Sequence, residues 1–584
     1  MRHSEGFDCG STRLARATFV ALLAGSVSVT ALARQEEPAS TAGTSPATPG
    51  QQPGAEDAPP VPDNGLDDLE SLEPPDGKWQ VAADGRKYFV TRLPKVEGTY
   101  RRRGKKKITY KRFFDWELES EDEDYFYVRM YKGPEPGEAE RRREVRRQEQ
   151  EEYLAEMVEK YKVEIRPADR LTFTSFDQGL PRVGQWRQGF ELVDMNGDGH
   201  LDIVHGPARK GADVPVVFLG DGKGGWRIWR ELVWPRAPYD YGDVAVADFD
   251  GDGRLDLGLG LHLRGLIALA QTTPGRFVQR SEGLLIEIPG RGGDASGFSS
   301  RAVEFADWNG DGRPDLIALG EGPRQMRAVG GDIEGLALSS SYGLVVFLNQ
   351  GDGTWRPLSR GQLDGIYGDD LTLGDFDLDG RVDAATVSFE EGRKDILFLN
   401  SDAEPGWEQA SLHSLLYPAW IFGVTSADFD RDGRPDLVTS FATRHGRVSR
   451  RGLLVSLNRS SGWDSRLIVA YEGRESFGTV ASGDVDGDGL ADVVASTYTG
   501  KIKVFLGDGA GGFFAEESPE IDPPAHCTAY GLEVADLDGD GRDDIVASFA
   551  SEISELSKQL GGDVCSTSGA LRAWRSGPKA APAS

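Results

Sequence analysis

The stretch "DFDGDGRLD", Asp248 to Asp256, sets four aspartates and two glycines into nine residues. Carboxylates this close repel one another unless something offsets their charge. Alone, the stretch admits three readings: a metal loop, a solvated Asx-type turn, or the acid/base pair of an enzyme.

It has six siblings. The pattern D-x-[DN]-x-D-G-x-x-D begins at Asp194, Asp248, Asp307, Asp375, Asp428, Asp484 and Asp536, at intervals of 52 to 68 residues. Positions 1, 3, 5 and 9 converge if the loop curls tightly. Gly at position 6 permits the turn, and position 7 offers a backbone carbonyl. The candidate metal ligands are Asp194, Asn196, Asp198 and Asp202 in loop one, and Asp248, Asp250, Asp252 and Asp256 in loop two. Loop three has Asp307, Asn309, Asp311 and Asp315, and loop four Asp375, Asp377, Asp379 and Asp383. Loop five has Asp428, Asp430, Asp432 and Asp436, and loop six Asp484, Asp486, Asp488 and Asp492. Asp536, Asp538, Asp540 and Asp544 make loop seven.

Hard oxygen ligands in this number suit Ca²⁺ rather than a transition metal. Position 12 is His205, Leu259, Ala318, Thr386, Thr439, Ala495 or Ala547, never Glu, so these are not EF-hands. Up to seven Ca²⁺ would move the formal charge from -29 to -15. A single match favours the solvated turn. Seven in register favour metal.

The context of each loop is also repeated. A strand-like run precedes it ("VAVADF", "LTLGDF"), a second follows ("PDLIALG", "PDLVTSF"), then a third ("GLVVFLN", "KIKVFLG") and a fourth opening on Trp or Phe. Four short strands per repeat make one propeller blade. The seventh repeat lacks its fourth strand, and "RLTFTSFDQGLP" (Arg170 to Pro181) resembles the missing piece. The sequence predicts an all-β chain: a seven-bladed β-propeller over 168–575, closed by an N-terminal outer strand, which removes open sheet edges.

Aromatic-Gly pairs recur at Tyr241-Gly242, Tyr367-Gly368, Phe422-Gly423, Phe477-Gly478 and Tyr530-Gly531. Repeats one and three carry the reverse order, Gly189-Phe190 and Gly297-Phe298. With the aspartate loops, these residues resemble the FG-GAP/VCBS repeat family, which also forms the head of integrin α subunits. The resemblance implies a calcium-stabilised propeller used outside the cell for adhesion or recognition. It places the calcium loops on one face and ligands on the other. Long segments expected there are Glu321 to Ser341, Thr443 to Gly452 and Ser551 to Gly569. The cluster Arg444 to Arg451 reads either as a site for an acidic ligand or as a solvated loop. Trp234, Tyr239 and Tyr241 read as packing or as a sugar platform.

Before the propeller, Arg13 and Arg16 precede an apolar run, Ala17 to Ala33, ending in Ala-Leu-Ala. This reads as a signal peptide over 1–33 and an exported protein: secreted, periplasmic or at the cell surface. The alternative is a retained anchor. Residues 34–76 read as a disordered Pro/Ala/acidic tether. Residues 77–165 read as a small α+β module with an Asp84-Gly85 hairpin and a charged helix, and 576–584 as a disordered tail. The basic run Arg101 to Lys107 reads as a solvated hairpin or an acidic-ligand site. After signal removal Cys527 and Cys565 remain, and an exported protein can join them.

The acidic balance argues against nucleic acid as partner. No stable membrane span is expected after cleavage. The expected partner is an extracellular protein or glycan, met by a monomeric propeller. No H-E-x-x-H, G-x-S-x-G or Walker loop is present, so no catalytic residue is assigned. A propeller lyase or hydrolase acting on polysaccharide, or an envelope scaffold, are the alternatives.

Overall fold

A computed structural model describes residues 78–94 except 84, 114–132 except 123–124, 138–161, and 166–579 with gaps, the longest being 285–298, 322–342, 517–526 and 552–568. The expected signal peptide and tether, the basic run, and residues 322–341 and 552–568 of two long segments lie outside the described residues.

The N-terminal unit contains an antiparallel sheet in the order Gln80–Val81, Lys87–Pro94, Tyr125–Lys132, Phe114–Glu121. Gly85 turns the first hairpin with φ of 87°. Phe89, Val128, Met130 and Tyr131 are buried in it. The helix Glu138–Tyr161 follows, with Arg147 between Glu144 and Glu151 on one charged face.

The larger unit is built from repeats. Among the described residues, seven further antiparallel sheets follow in chain order. Each runs outward from a first strand that leads into an aspartate loop: Phe190–Val193, Gly242–Ala247, Ser300–Ala306, Leu371–Gly374, Trp420–Ala427, Phe477–Gly483 and Thr528–Ala535. These strands lie beside one another in sequence order, and Thr528–Ala535 lies beside Phe190–Val193. Apolar clusters fill the space between successive sheets, including one that joins Phe190 and Phe218 to Leu537, Val546 and Leu571. Each sheet is thus buried on both faces. That is why second strands such as Asp256–Leu261 and Asp315–Gly320 are buried throughout and show no polar alternation.

The seventh sheet takes its fourth strand from the start of the unit. Leu171–Ser175 pairs antiparallel with Leu571–Pro578, from Trp574–Ser175 to Pro578–Leu171. The Lys579 amide then donates to the Arg170 carbonyl at 2.7 Å. The C-terminal strand therefore runs past residue 576, where the sequence places a disordered tail. The sixth sheet gains a fifth strand, Arg166–Ala168, in parallel to Phe513–Glu516.

A second correction concerns Thr443 to Gly452, expected as a loop. Its residues continue a long hairpin, with Arg444 opposite Ser449 and His445 opposite Val448. Arg451 is buried, not solvated, and burial lowers its pKa. Trp234 stacks on Phe277 at 4.5 Å and Tyr239 donates to the Pro235 carbonyl, so both are packing residues.

Candidate metal centre

Each loop is closed by its own aspartates. At position 1 of loop two, Asp248 Oδ1 accepts from the amides of Gly251 and Asp252, and Oδ2 from that of Gly253. At position 5, Asp252 accepts from the Arg254 amide at 3.0 Å. The position-1 bonds to positions 5 and 6 recur in all seven loops. The turn needs positive φ at positions 4 and 6, supplied at 74° by Gly251 and 85° by Gly253. In loops four and five, position 4 is Leu378 and Arg431, forced to 62° and 60°.

Position 9 does a different job from the other three. Asp202, Asp256, Asp315, Asp383, Asp436, Asp492 and Asp544 are fully buried. One oxygen accepts from the amide at position 2, the other from an amide on the third strand. For Asp383 these donors are Phe376 at 2.8 Å and Asn400 at 2.7 Å. The position-9 carboxylate thus pins the loop to the sheet, and in loops two, four and five one of its oxygens also lies with those of positions 1 and 3. Burial raises Asp202, Asp256, Asp315, Asp383, Asp436 and Asp544 to about 7, and Asp492 well above its usual value.

Carboxylate oxygens converge within 4.8 Å at positions 1, 3 and 9 in loops two, four and five, and at positions 1, 3 and 5 in loops six and seven. In loops one and three the Asn Nδ2 instead donates to the position-5 aspartate, at 2.9 Å from Asn196 and 3.0 Å from Asn309. The donor set fits a hard cation. Asp430 Oδ2 is buried and accepts no hydrogen bond, its neighbour being the Arg459 guanidinium, and burial together with the neighbouring aspartates raises Asp250, Asp377 and Asp484 above the usual carboxylate value. A divalent cation would be held by the convergent oxygens and would supply charge neutralisation and rigidity.

A cavity lies away from the loops, near the starts of the first strands. Its lining comes from six of the seven sheets and includes Glu191, Asp243, Arg301, Glu304, Asp370 and Glu533. Asp243 Oδ2 accepts from the Val303 amide and Asp370 Oδ2 from the Val424 amide, each at 3.0 Å and each reaching the next sheet. Burial and the neighbouring carboxylates of Glu304 and Asp370 push Asp243 well above the ordinary range. Arg301 lies 3.1 Å from Glu321 and 3.6 Å from Asp369. Glu321 meets His262 at 3.0 Å, and that ring stacks on Tyr241 at 4.4 Å.

The FG-GAP-like repeat matches residues 194–259, 375–439 and 484–547. Each stretch starts at position 1 of a loop and takes in two loops, so six of the seven are covered.

The chain carries FG-GAP-like repeats.

Cartilage acidic protein 1 of Homo sapiens is 25% identical over 398 residues, 56% of this chain and 58% of that protein. Cartilage acidic protein 1 of Xenopus tropicalis is 25% identical over 387 residues, 53% of this chain and 57% of that protein. The FG-GAP aromatic-Gly pair has a steric basis here: a Cβ on Gly423 would sit 2.4 Å from the carbonyl oxygen of Gly478, the equivalent glycine of the next repeat.

Two features of these repeats escaped sequence reasoning. One is the third-strand Asn of "FLNQ", "FLNS" and "SLNR". Nδ2 of Asn349, Asn400 and Asn458 donates to the position-2 carbonyl of the preceding loop, Phe249, Trp308 and Phe376. Its recurrence just before a turn was the available signal. The other is the cavity, whose residues share no motif.

Proposed function

We propose that this protein is an exported, calcium-binding propeller of seven blades that recognises an extracellular protein or glycan on the face away from its metal loops. The observation that carries the proposal is the set of seven loops, each closed by the same aspartate-to-amide bonds and pinned by a buried position-9 carboxylate. The cyclic succession of first strands, and the last sheet completed by Leu171–Ser175, support the seven-bladed closed reading.

Export is supported by the signal-like N-terminus and by Cys527, which is buried and disulfide-bonded. Cys565 lies outside the described residues, and we propose it as the partner. No described helix is long and apolar enough to cross a membrane.

The recognition surface in this reading includes the cavity at the starts of the first strands. Its lining carries more carboxylates than cations, which favours a ligand presenting amino or guanidino groups. The Arg444 to Arg451 segment is less suited to an acidic ligand than its composition implies, because it is a paired hairpin with Arg451 buried. No catalytic role is proposed. The loop aspartates are committed to the backbone and, in this reading, to metal.

The test is a protein and glycan array with the full chain, alongside a polysaccharide turnover screen, with and without EDTA. Binding that is lost in EDTA, without turnover, is the expected result. Calcium-dependent chain cleavage would favour a lyase or hydrolase instead. Neither binding nor turnover would favour a scaffold.

A further inference from the structure

Three arginines reach into loops to which they do not belong. Arg459 Nη1 lies 2.6 Å from Asp430 in loop five. Arg170 Nη1 lies 3.3 Å from Asp486 in loop six. Arg575 Nε lies 3.0 Å from Asp538 in loop seven, and its Nη2 lies 3.7 Å from Asp540. In each case the nearer partner is position 3; Arg575 also reaches position 5 of its loop. Loops two and four differ. Their position-3 residues, Asp250 and Asp377, are exposed, and the arginines of those loops, Arg254 and Arg381, lie on position 5, where Asp252 and Asp379 are 28% and 31% exposed and the charge is screened by solvent.

We infer that Arg459, Arg170 and Arg575 hold loops five, six and seven, respectively, at lower metal affinity than loops two and four. This rests on the reading of the loops as calcium sites. A cation entering loop five must displace the guanidinium from Asp430 Oδ2 or bind beside a fixed positive charge. Either lowers its affinity. Solvent gives little relief, because the side chains of Asp430, Asp486 and Asp538 are only 2%, 8% and 12% exposed. The arginines are anchored by the sheets. Arg459 ends the strand Val448–Arg459, and Arg575 lies within Leu571–Pro578. Arg170 packs over Phe514 at 4.6 Å while its amide donates to Glu516. Loops one and three, with Asn at position 3, stand outside this comparison.

Calcium titration calorimetry on the full chain, stripped with EDTA and held in low salt, tests the inference. The parent chain is expected to show a tight class that Asp250→Asn with Asp377→Asn removes. Arg459→Gln and Arg575→Gln are each expected to strengthen one weaker site by about three- to fivefold. Arg459→Lys keeps the charge and is expected to keep the weak affinity, which separates loss of charge from damage to the fold. Calcium binding by the parent with Arg459→Gln and Arg575→Gln unchanged or weakened overturns this inference alone. A parent chain that binds no calcium overturns the metal reading itself.

Discussion

Asn400 Nδ2 lies 2.6 Å from the carbonyl oxygen of Trp308, a residue of the preceding repeat, and also donates to Val382 at 3.1 Å. Its backbone amide meanwhile donates to Asp383. One buried side chain therefore ties the loop of its own sheet to the loop before it.

Removing that amide takes the donor from one buried and one part-buried carbonyl. Asn400→Ala and Asn458→Ala are each expected to cost about 1–3 kcal/mol, read by denaturant or thermal unfolding. Asn400→Asp is expected to be worse, since it sets a carboxylate against carbonyl oxygens. A neutral Asn400→Ala would show that apolar packing alone joins the repeats.

The loop backbone makes a separate prediction. Gly433 sits at φ of 84°, and a Cβ there meets nothing within 4 Å. Gly433→Ala is expected to cost about 1–2 kcal/mol from conformation alone. Leu378→Gly in loop four should recover part of such a cost, because Leu378 already occupies φ of 62°. Equal stability of Gly433→Ala and the parent would contradict the turn geometry.

The buried aspartates fix the sign of the pH dependence. Position-9 residues such as Asp256, Asp383 and Asp436 titrate at about 7 in the ion-free fold, against about 3.9 unfolded. Between those values the folded chain holds protons that the unfolded chain has lost. Stability of the ion-free protein is therefore fully present below about pH 4 and falls as pH rises towards 7. Calcium reverses the trend, since protons compete with it for the same oxygens. Melting temperatures at pH 5 and 7.5, with EDTA and with calcium, should move in opposite directions. An EDTA-treated protein that becomes more stable from pH 5 to 7.5 would contradict this.

Cys527 supplies a fourth test. Reduction is expected to lower stability by about 2–4 kcal/mol, and peptide mapping is expected to find Cys527 linked to Cys565. Mapping that leaves Cys565 free would contradict that pairing.

The repeat was legible because seven aspartate loops and their flanking strands recur in register. The strand Leu171–Ser175 was legible for the same reason: counting strands leaves one missing at the end and one spare at the start. The distinct job of position 9 was not. The letter Asp looks the same at positions 1 and 9, and only the fold decides that Asp383 is buried between two amides. The hairpin at Thr443 to Gly452 was misread because its arginines resemble a solvated loop, while strand pairing carries Arg451 beneath the surface. The cavity was invisible because Glu191, Asp243, Arg301 and Glu533 meet only when six sheets converge. The arginines on position 3 were invisible for a related reason, since Arg170 lies more than three hundred residues from Asp486 in sequence.

Thermal melting of the full chain at pH 7.5, in EDTA and in millimolar calcium, tests the metal loops most directly. A markedly higher melting temperature is expected in calcium, because an ion bound only by the native loops stabilises the fold, and magnesium is expected to do less. Superimposable melting curves in EDTA and calcium would contradict the claim that these seven loops are metal sites.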